Sequence, residues 1–469
     1  MIKVSVYFFL MVSALTLCRA ETPNILVVVA DDLGVVDLSC YGSDYYKTPA
    51  IDSIAAQGLR FTRAYSAASV CSPTRASILT GRYPHRVHLT DALPWDRLFE
   101  NPKKVPPCHL KELPVELPNI AQAMQAAGYR TALFGKWHLG NEEQFFTAGE
   151  HVAYGFDIAE DCSWKERARD KGVDELTAKT IRFLETNKQK PFLLFLMHHV
   201  PHVPIASPKE AQALYDDVPK GRYQKNQKYA GMISHLDQSI QQVLDKLIEL
   251  GLYDNTILVF TSDNGGLSAL TSNLPFRGGK GDLFEGGVRV PLLVRWPEHI
   301  EPGSVSDSAV ISTDYFPTFL DLVEQGLMPS AHIDGKSMLP LWMGEAGVER
   351  RLYWHFPHRA EPSSALMDGD WKLIHHIAPN DYKLFNLASD PDEKNDLAVE
   401  YPEKMKRYKK MLEAHLQASG AQRMRSNPSW DPERARGWLR NFGVFYPVGG
   451  KIYQKVTEEY PEWFKFGIK

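Results

Sequence analysis

Apolar runs alternate with stretches of helical periodicity along most of the chain. The segment 24–30 (N-I-L-V-V-V-A) is a continuous, mostly β-branched run, typical of a strand that is buried on both faces of a sheet. In contrast, the segment 228–250 has apolar residues spaced at the period of a helix and a glycine directly after it. This alternation predicts an α/β fold, with a large, mostly parallel mixed sheet sandwiched by helices. The predicted strands are 24–30, 59–64, 129–134, 191–197, 256–260 and 290–294, and the predicted helices are 49–58, 117–127, 171–187 and 228–250.

The pattern changes near residue 345. Short apolar runs separated by turn residues follow, and they predict the strands of an antiparallel meander. These runs lie at 352–356, 364–367, 371–375 and 382–386, and a helix is predicted at 403–418. We therefore expect a smaller C-terminal α+β domain with a short antiparallel sheet. The expected organisation is a signal peptide at 1–20, a main α/β domain at 21–345, the α+β subdomain at 346–420 and an irregular C-terminal extension at 421–469.

The first twenty residues have the features of a secretory signal. Lys3 provides a positive start, residues 4–17 form an apolar core, and Ala20 is a small residue at a plausible cleavage point. The formal net charge of the whole chain is -4, which gives no indication of a nucleic-acid partner or of binding to an anionic membrane. We expect an exported protein, periplasmic or secreted, that has no membrane attachment once the signal is removed.

Four cysteines remain after the signal, and in a chain of this length they do not form a disulfide framework. A bridge between Cys108 and Cys162 is left open by the sequence. The chain has no N-x-[ST] acceptor, because the serine after Asn427 follows a proline. This absence favours a bacterial exported protein over a lysosomal one.

Polar residues follow several of the predicted buried strands. Asp31 and Asp32 come after the first strand, and Asp263 and Asn264 come after the strand at 256–260. Because ligands bind beyond the carboxyl ends of parallel strands, we expect these side chains to converge. All four offer oxygen ligands, a set that selects calcium or magnesium over zinc. The alternative is that Asp31 and Asp263 only cap the helices that follow them.

A second candidate feature lies at Ser69–Gly81, where Ser72 is predicted to cap a helix that starts at Pro73. Cys71 would then lie at the positive end of this helix, a place that suits an anion. Arg75, one turn further on, adds a permanent positive charge. Such a cysteine is a candidate for a thiolate nucleophile of low pKa. An exposed thiolate is a liability in an exported protein, however, which suggests that Cys71 does not remain a cysteine.

Further cationic and imidazole side chains are candidates for the same site. Lys136 and His138 lie two residues apart after a strand, so they face the same side of an extended segment. A lysine can neutralise an oxyanion and a histidine can move protons near neutral pH. His202 and the glycine-flanked Lys280 are candidates for the same two functions. Each of these side chains also has an ordinary structural or solvated interpretation, and at least one histidine among His198, His199 and His202 is expected to be structural.

With these residues collected, the chain resembles the type I sulfatases of the alkaline phosphatase superfamily. The segment 71–75 (C-S-P-T-R) matches the family signature C-x-P-x-R, and 135–140 (G-K-W-H-L-G) matches a second motif. Asp31-Asp32, 261–265 and 280–289 also fit, and the similarity extends from about Pro23 to Asp396. The resemblance makes the main domain the sulfatase catalytic domain.

The resemblance implies that a maturation enzyme oxidises Cys71 to formylglycine, whose hydrate, a gem-diol, attacks the sulfur and forms a covalent sulfo-enzyme intermediate. One calcium ion would be held by Asp31, Asp32, Asp263, Asn264 and the modified residue 71. The same resemblance gives each remaining candidate a role: Lys136 and Lys280 neutralise the sulfate, His202 protonates the leaving alcohol, His138 takes a proton from the second hydroxyl, and Arg75 holds the diol.

The expected substrate is a sulfated sugar or polysaccharide fragment, by analogy with the family. Two alternatives remain open at this point. One is a phosphomonoesterase or phosphodiesterase of the same superfamily, although the cysteine and the oxygen ligands argue against it. The other is a non-catalytic carbohydrate-binding homologue in which Cys71 is never converted. Candidate sugar contacts on nearby loops are His88, Trp95, Arg97 and Arg277.

Overall fold

A computed structural model describes residues 22–93 and 104–430 of the chain, apart from residues 325, 327, 348 and 360. The predicted signal at 1–20 lies outside the described residues, and so do Trp95 and Arg97. Of the predicted extension at 421–469, only residues 421–430 are described.

The strands predicted from apolar runs are present, and most of their bounds agree to within one or two residues. The run at 59–64 divides into two short strands, and the strand predicted at 290–294 begins two residues later. In chain order the strands are β1 Asn24–Ala30, β2 Leu59–Phe61, β3 Ala64–Tyr65, β4 Lys104–Val105, β5 Arg130–Gly135, β6 Ile158–Glu160, β7 Phe192–Met197, β8 Thr256–Ser262, β9 Leu292–Arg295, β10 Ser304–Ser306, β11 Val310–Ile311, β12 Arg351–Phe356, β13 Ser363–Asp368, β14 Trp371–His376, β15 Asp381–Asn386 and β16 Arg425–Ser426.

The helices include the long amphipathic segment near 228–250, and several short helices lie in segments for which no helix was predicted. In chain order they are α1 Pro49–Ala56, α2 Cys71–Thr80, α3 Pro84–Val87, α4 Ile120–Ala126, α5 Glu142–Phe146, α6 Trp164–Asp170, α7 Val173–Asn187, α8 Lys209–Ala213, α9 Gln227–Glu249, α10 Glu285–Val288, α11 Tyr315–Leu322, α12 Leu339–Trp342 and α13 Pro402–Ala418.

The main sheet has eight strands in the order β10-β2-β9-β8-β1-β7-β5-β6. Among its described pairings, those of β9 are antiparallel and the others are parallel. Alternate residues of β1 point to opposite faces of the sheet and lie in different hydrophobic cores. Val27 lies in a core with apolar side chains of α2, α4 and α11, and Val28 lies in a core with apolar side chains of α1, α7 and α9. The predicted fold class, a mostly parallel sheet between helices, is therefore confirmed.

The C-terminal part contains the predicted antiparallel meander, in the order β12-β13-β14-β15. Helix α13 packs Tyr408 and Leu412 on one face of this sheet. The other face packs against the main part of the chain, through side chains that include Val70 and Phe284. Strand β16 pairs with β4, so the described start of the predicted extension lies against residues 104–105. The domain boundary at residue 345 stays a prediction.

Across residues 22–93 and 104–430, no helix combines the length and the apolar character that a membrane crossing requires.

Candidate functional site

The acidic residues that follow β1 and β8 lie side by side, because these two strands are neighbours in the sheet. The backbone N–H of Asp32 donates to Oδ1 of Asp263 at 3.1 Å, and Nδ2 of Asn264 donates to Oδ1 of Asp32 at 2.9 Å. Asp32 has a φ of 69°, a left-handed conformation that costs energy in a residue with a side chain. The structure thus brings together the four predicted oxygen donors.

Three cationic side chains reach these acids from other parts of the chain. The Nζ of Lys136, directly after β5, lies 2.8 and 2.7 Å from the two carboxylate oxygens of Asp31. The Nζ of Lys280 lies 2.7 Å from Asp32. Arg75 donates from Nε to Oδ2 of Asp263 at 2.9 Å, and one of its terminal nitrogens lies 2.8 Å from the same oxygen, which completes three buried ion pairs.

Arg75 also donates to the backbone carbonyl of Lys136 at 2.8 Å. Its side chain is completely buried, and it ties α2 both to the end of β8 and to the end of β5. The guanidinium therefore holds the acids and the lysine in their relative positions.

The charged neighbours set the protonation of the acids. Burial alone would raise the pKa of Asp31, but the ammonium of Lys136, with His202 and Arg75, holds this pKa well below its usual range. At Asp263 the effect of burial is larger than the opposing effect of the Arg75 charge, and the pKa of this carboxyl is raised to about 6. Asp32 raises the pKa of the Lys280 ammonium although burial opposes this effect. Near neutral pH the site therefore contains ionised carboxyl groups next to ammonium and guanidinium groups.

The helix that carries Cys71 begins two residues earlier than predicted. Cys71 is its first residue and Val70 is its N-cap, so the prediction that Ser72 caps a helix starting at Pro73 is wrong. The hydroxyl of Ser72 instead accepts from the backbone N–H of Leu93 at 3.0 Å. This tertiary contact competes successfully with the local capping that the sequence favours.

The side chain of Cys71 is buried, and its Sγ lies 3.6 Å from Nζ of Lys280. Burial raises the pKa of this thiol to about 11, although Lys136 and Lys280 act in the opposite direction. The alternative that Cys71 is a thiolate of low pKa is therefore contradicted. Its position beside the lysine and at the start of α2 still suits a group that meets an anion.

The two candidate histidines lie at the same edge of the sheet. Nε2 of His138 bonds to the carbonyl of Leu93, and its Nδ1 is buried with no hydrogen-bond partner in the described part of the chain. Nε2 of His202 lies 3.7 Å from Asp32, and its Nδ1 lies 2.6 Å from the carbonyl of Val203. Burial lowers the pKa of both rings, that of His202 to about 4 with a contribution from Lys280. Both rings are thus neutral in this arrangement.

The neighbouring histidines have structural contacts, as the sequence led us to expect for at least one of them. His198 is fully buried near the hydroxyl of Ser239, and Nε2 of His199 lies 2.8 Å from Asp161. Of the loop residues considered as sugar contacts, Arg277 stacks over the ring of Phe284, with its Cζ 4.1 Å from the ring centre. Its guanidinium is therefore engaged within the protein.

Cys108 and Cys162 are both free in the structure, the first exposed and the second buried, so the bridge that the sequence left open is not formed.

The residues present fit a bound divalent cation. Ligand atoms of Asp31, Asp32, Cys71 and His202 all lie within 4.8 Å of one another. Oδ1 of Asn264 is buried and has no hydrogen-bond partner among the described residues. A buried amide oxygen without a partner is unfavourable, and a cation of oxygen preference would satisfy it.

Leu93 contacts the site in a way that the sequence did not indicate. Its backbone N–H and carbonyl hold Ser72 and His138, respectively. Backbone groups have no residue-type signature, so no sequence signal could have identified this contact.

An α/β protein with two buried lysines and a helix start at the carboxyl edge of its sheet has a site that suits an anionic ligand. A family model described as Sulfatase matches residues 23–325. A second model, described as N-sulphoglucosamine sulphohydrolase, C-terminal, matches residues 279–422. The chain therefore belongs to the sulfatase family, as the signature at 71–75 indicated, and it is a sulfuric ester hydrolase.

Individual relatives agree with this assignment. Arylsulfatase A of Homo sapiens is 31% identical over a match that covers 74% of this chain and 73% of that protein. An N-acetylgalactosamine-6-O-sulfatase of Bacteroides thetaiotaomicron is 26% identical and covers 84% of this chain and 93% of its own length. The crystal structure of Ps i-CgsB in complex with k-i-k-neocarrahexaose is similar with a TM-score of 0.73 and 26% identity, over 92% of this chain and 100% of that one.

Proposed function

We propose that this protein removes sulfate from a sulfated carbohydrate and that its nucleophile is a formylglycine formed from Cys71. The observation that carries this proposal is the position of Cys71: it is the first residue of α2, it is buried, and its Sγ is 3.6 Å from Nζ of Lys280. A thiol with a raised pKa is a poor nucleophile there. A hydrated aldehyde would instead supply a hydroxyl group at the same place, and a maturation enzyme is the partner that would form it.

The cation we propose is one calcium ion. Asp31, Asp32, Asp263 and Asn264 would hold it together with residue 71, and the support is their convergence and the buried Oδ1 of Asn264 that lacks a hydrogen bond among the described residues. When bound, the ion would supply positive charge next to the sulfate oxygens.

The lysines have the positions needed to bind the anionic group of the substrate. Lys280 faces Cys71, and Lys136 faces Asp31 at the neighbouring strand end. Fixed ammonium groups in a buried site stabilise charge that builds up on sulfate oxygens, because no solvent reorganisation is needed. Arg75 orients these groups through Asp263 and the backbone of Lys136.

The histidines would move the protons. Nε2 of His138 must carry hydrogen to bond with the carbonyl of Leu93, so its Nδ1 is the nitrogen that can accept a proton from the second hydroxyl of the diol. Nδ1 of His202 similarly donates to the carbonyl of Val203, so Nε2, near Asp32, is the nitrogen that would take up a proton and pass it to the leaving alcohol.

The carbohydrate class of the substrate is proposed from the relatives. One of them is named an N-acetylgalactosamine-6-O-sulfatase, and a similar solved structure contains neocarrahexaose. We further propose that the protein is exported, periplasmic or secreted, because residues 1–20 have the pattern of a secretory signal.

The decisive experiment combines peptide mass spectrometry with a sulfate-release assay. Protein from the native host should give a peptide spanning residue 71 with the mass of the aldehyde in place of the thiol, and it should release sulfate from a panel of sulfated mono- and oligosaccharides. Cys71→Ala should fold and release none. An unmodified cysteine in active protein would overturn the formylglycine proposal, and release from aryl sulfates alone would overturn the carbohydrate proposal.

A further inference from the structure

A second group of buried charges joins the C-terminal sheet to the catalytic part of the chain. Nζ of Lys372, on β14, lies 2.8 Å from Glu285 and 2.9 Å from Glu393, and none of the three side chains has any exposure to solvent. The hydroxyl of Tyr65 also donates to Glu285, at 3.0 Å. We call Lys372, Glu285 and Glu393 the Lys372 cluster.

Glu393 of the Lys372 cluster accepts hydrogen bonds from both ends of one segment, residues 277–285. Near its start, Arg277 donates to the backbone carbonyl of Glu393 at 2.8 Å. At its end, the backbone N–H of Glu285 donates to the Glu393 carboxylate at 2.6 Å. The two ends are also joined directly, because the N–H of Gly286 donates to the carbonyl of Arg277 at 2.7 Å. This backbone bond closes the segment into a loop, and Glu393 contacts both of its ends.

Lys280 lies within that loop, which we call the Lys280 loop. The backbone N–H of Lys280 donates to the carbonyl of Gly266 at 3.0 Å, and that of Gly281 donates to the carbonyl of Ser69 at 2.9 Å, two residues before Cys71. The loop thus contacts the two segments that carry Asn264 and Cys71.

The backbone of α10 packs directly against the backbone of the segment after β8, with no space for a side chain between them. The N–H of Gly265 donates to the carbonyl of Gly287 at 3.0 Å. A Cβ on Gly265 would lie 1.9 Å from the carbonyl oxygen of Gly286, and one on Gly287 would lie 2.1 Å from that of Asp282. A shift of Glu285 would therefore move the backbone beside Asn264 and Lys280 as well.

We propose that Lys372 is a positioning residue for the sulfate site: it sets the place of the Lys280 ammonium through Glu285 and Glu393. This inference rests on the role proposed above for Lys280. Without Lys372 the Glu285 carboxylate would keep its ion pair with Arg289, at 3.2 Å, whereas the buried Glu393 would lose its cationic partner, which is unfavourable. The C-terminal sheet thus becomes necessary for substrate binding although it provides no proposed catalytic residue.

The test is a double-mutant cycle with Lys372→Met and Lys280→Met, measured as kcat/KM on an aryl sulfate. A misplaced charged group can cost about 100-fold, so we expect Lys372→Met alone to lower kcat/KM by at least tenfold. In the Lys280→Met background the same change should cost less than about threefold, because coupled residues are not additive. Equal losses in the two backgrounds would overturn the proposal.

A second measurement does not depend on activity. Hydrogen exchange of the intact protein should accelerate in residues 277–287 in Lys372→Met, or in the milder Glu393→Gln if the first variant does not fold. Arg86→Met, which breaks a partly exposed ion pair with Asp334, is the control and should leave that exchange unchanged. Unchanged exchange in both cluster variants would overturn the positioning role. Unchanged kcat/KM in Lys280→Met would instead contradict the proposal that Lys280 binds the sulfate group.

Discussion

Arg75→Met tests the most deeply buried ion pair of the site. Arg75 and Asp263 are both without exposure, and two nitrogens of the guanidinium lie 2.9 and 2.8 Å from one carboxylate oxygen. A hydrogen bond of 2.8 Å also joins Arg75 to the carbonyl of Lys136. Methionine fills a similar volume without charge, so the variant removes these interactions and leaves little cavity.

The expected loss follows from these contacts. Removing one partner of a buried ion pair costs about 3–5 kcal/mol, because the other charge is left uncompensated. The carbonyl of Lys136 also loses its donor, which adds about 1–3 kcal/mol. The total, about 4–8 kcal/mol, is a large part of the roughly 5–15 kcal/mol that stabilises a typical domain.

Urea denaturation followed by tryptophan fluorescence gives the free energy of unfolding of the variant and the wild type. Arg350→Met is the matched control, because Arg350 and Asp314 form another buried pair with contacts of 2.7 Å. Both variants should be destabilised, and only Arg75→Met should also lose sulfatase turnover below its unfolding transition. A loss of less than about 1 kcal/mol, in the range of an exposed pair, would refute the reasoning.

Three further predictions concern the proton donor, the cation and the loop packing. His202→Gln should lower kcat about 100-fold or more on a sugar sulfate, and far less on 4-nitrophenyl sulfate, whose leaving group needs no proton. Chelation with EGTA should lower both turnover and the unfolding midpoint, and a calcium excess of about 1,000 times Kd should restore about 4 kcal/mol. Gly265→Ala should be severely destabilising, because its Cβ would lie 1.9 Å from the carbonyl oxygen of Gly286.

Each of these three predictions would be contradicted by a specific result. Equal losses on both substrates would contradict a proton-donor role for His202, and full activity after chelation would contradict the cation. The control for the glycine is Gly251→Ala, at a φ of 66° with no atom of the described chain within 4 Å. That substitution should cost only about 1–2 kcal/mol of conformational strain, and an equal loss at Gly265 would contradict the packing argument.

Local patterns were sufficient to predict most of the strands and to indicate candidate residues that the structure brings together. The predicted strand at 24–30 matches β1, Asn24–Ala30, residue for residue, because a strand buried on both faces is a nearly continuous apolar run. The signature at 71–75 and the acids after two strands indicated side chains that the structure brings together, because the carboxyl ends of parallel strands meet at one edge of the sheet.

Contacts between distant segments were decided by the tertiary structure. Helix α2 starts at Cys71 with Val70 as its N-cap, and the hydroxyl of Ser72 bonds to the backbone of Leu93, 21 positions away, and does not cap the helix. The pKa of the Cys71 thiol is raised because burial outweighs two nearby lysines, and a sequence pattern does not reveal the degree of burial. The pairing of Lys372 with Glu285, across 87 positions, likewise arises only when the C-terminal sheet packs on the catalytic part. Sequence thus determined which residues can do the chemistry, and the packing of remote segments determined their charges, partners and positions.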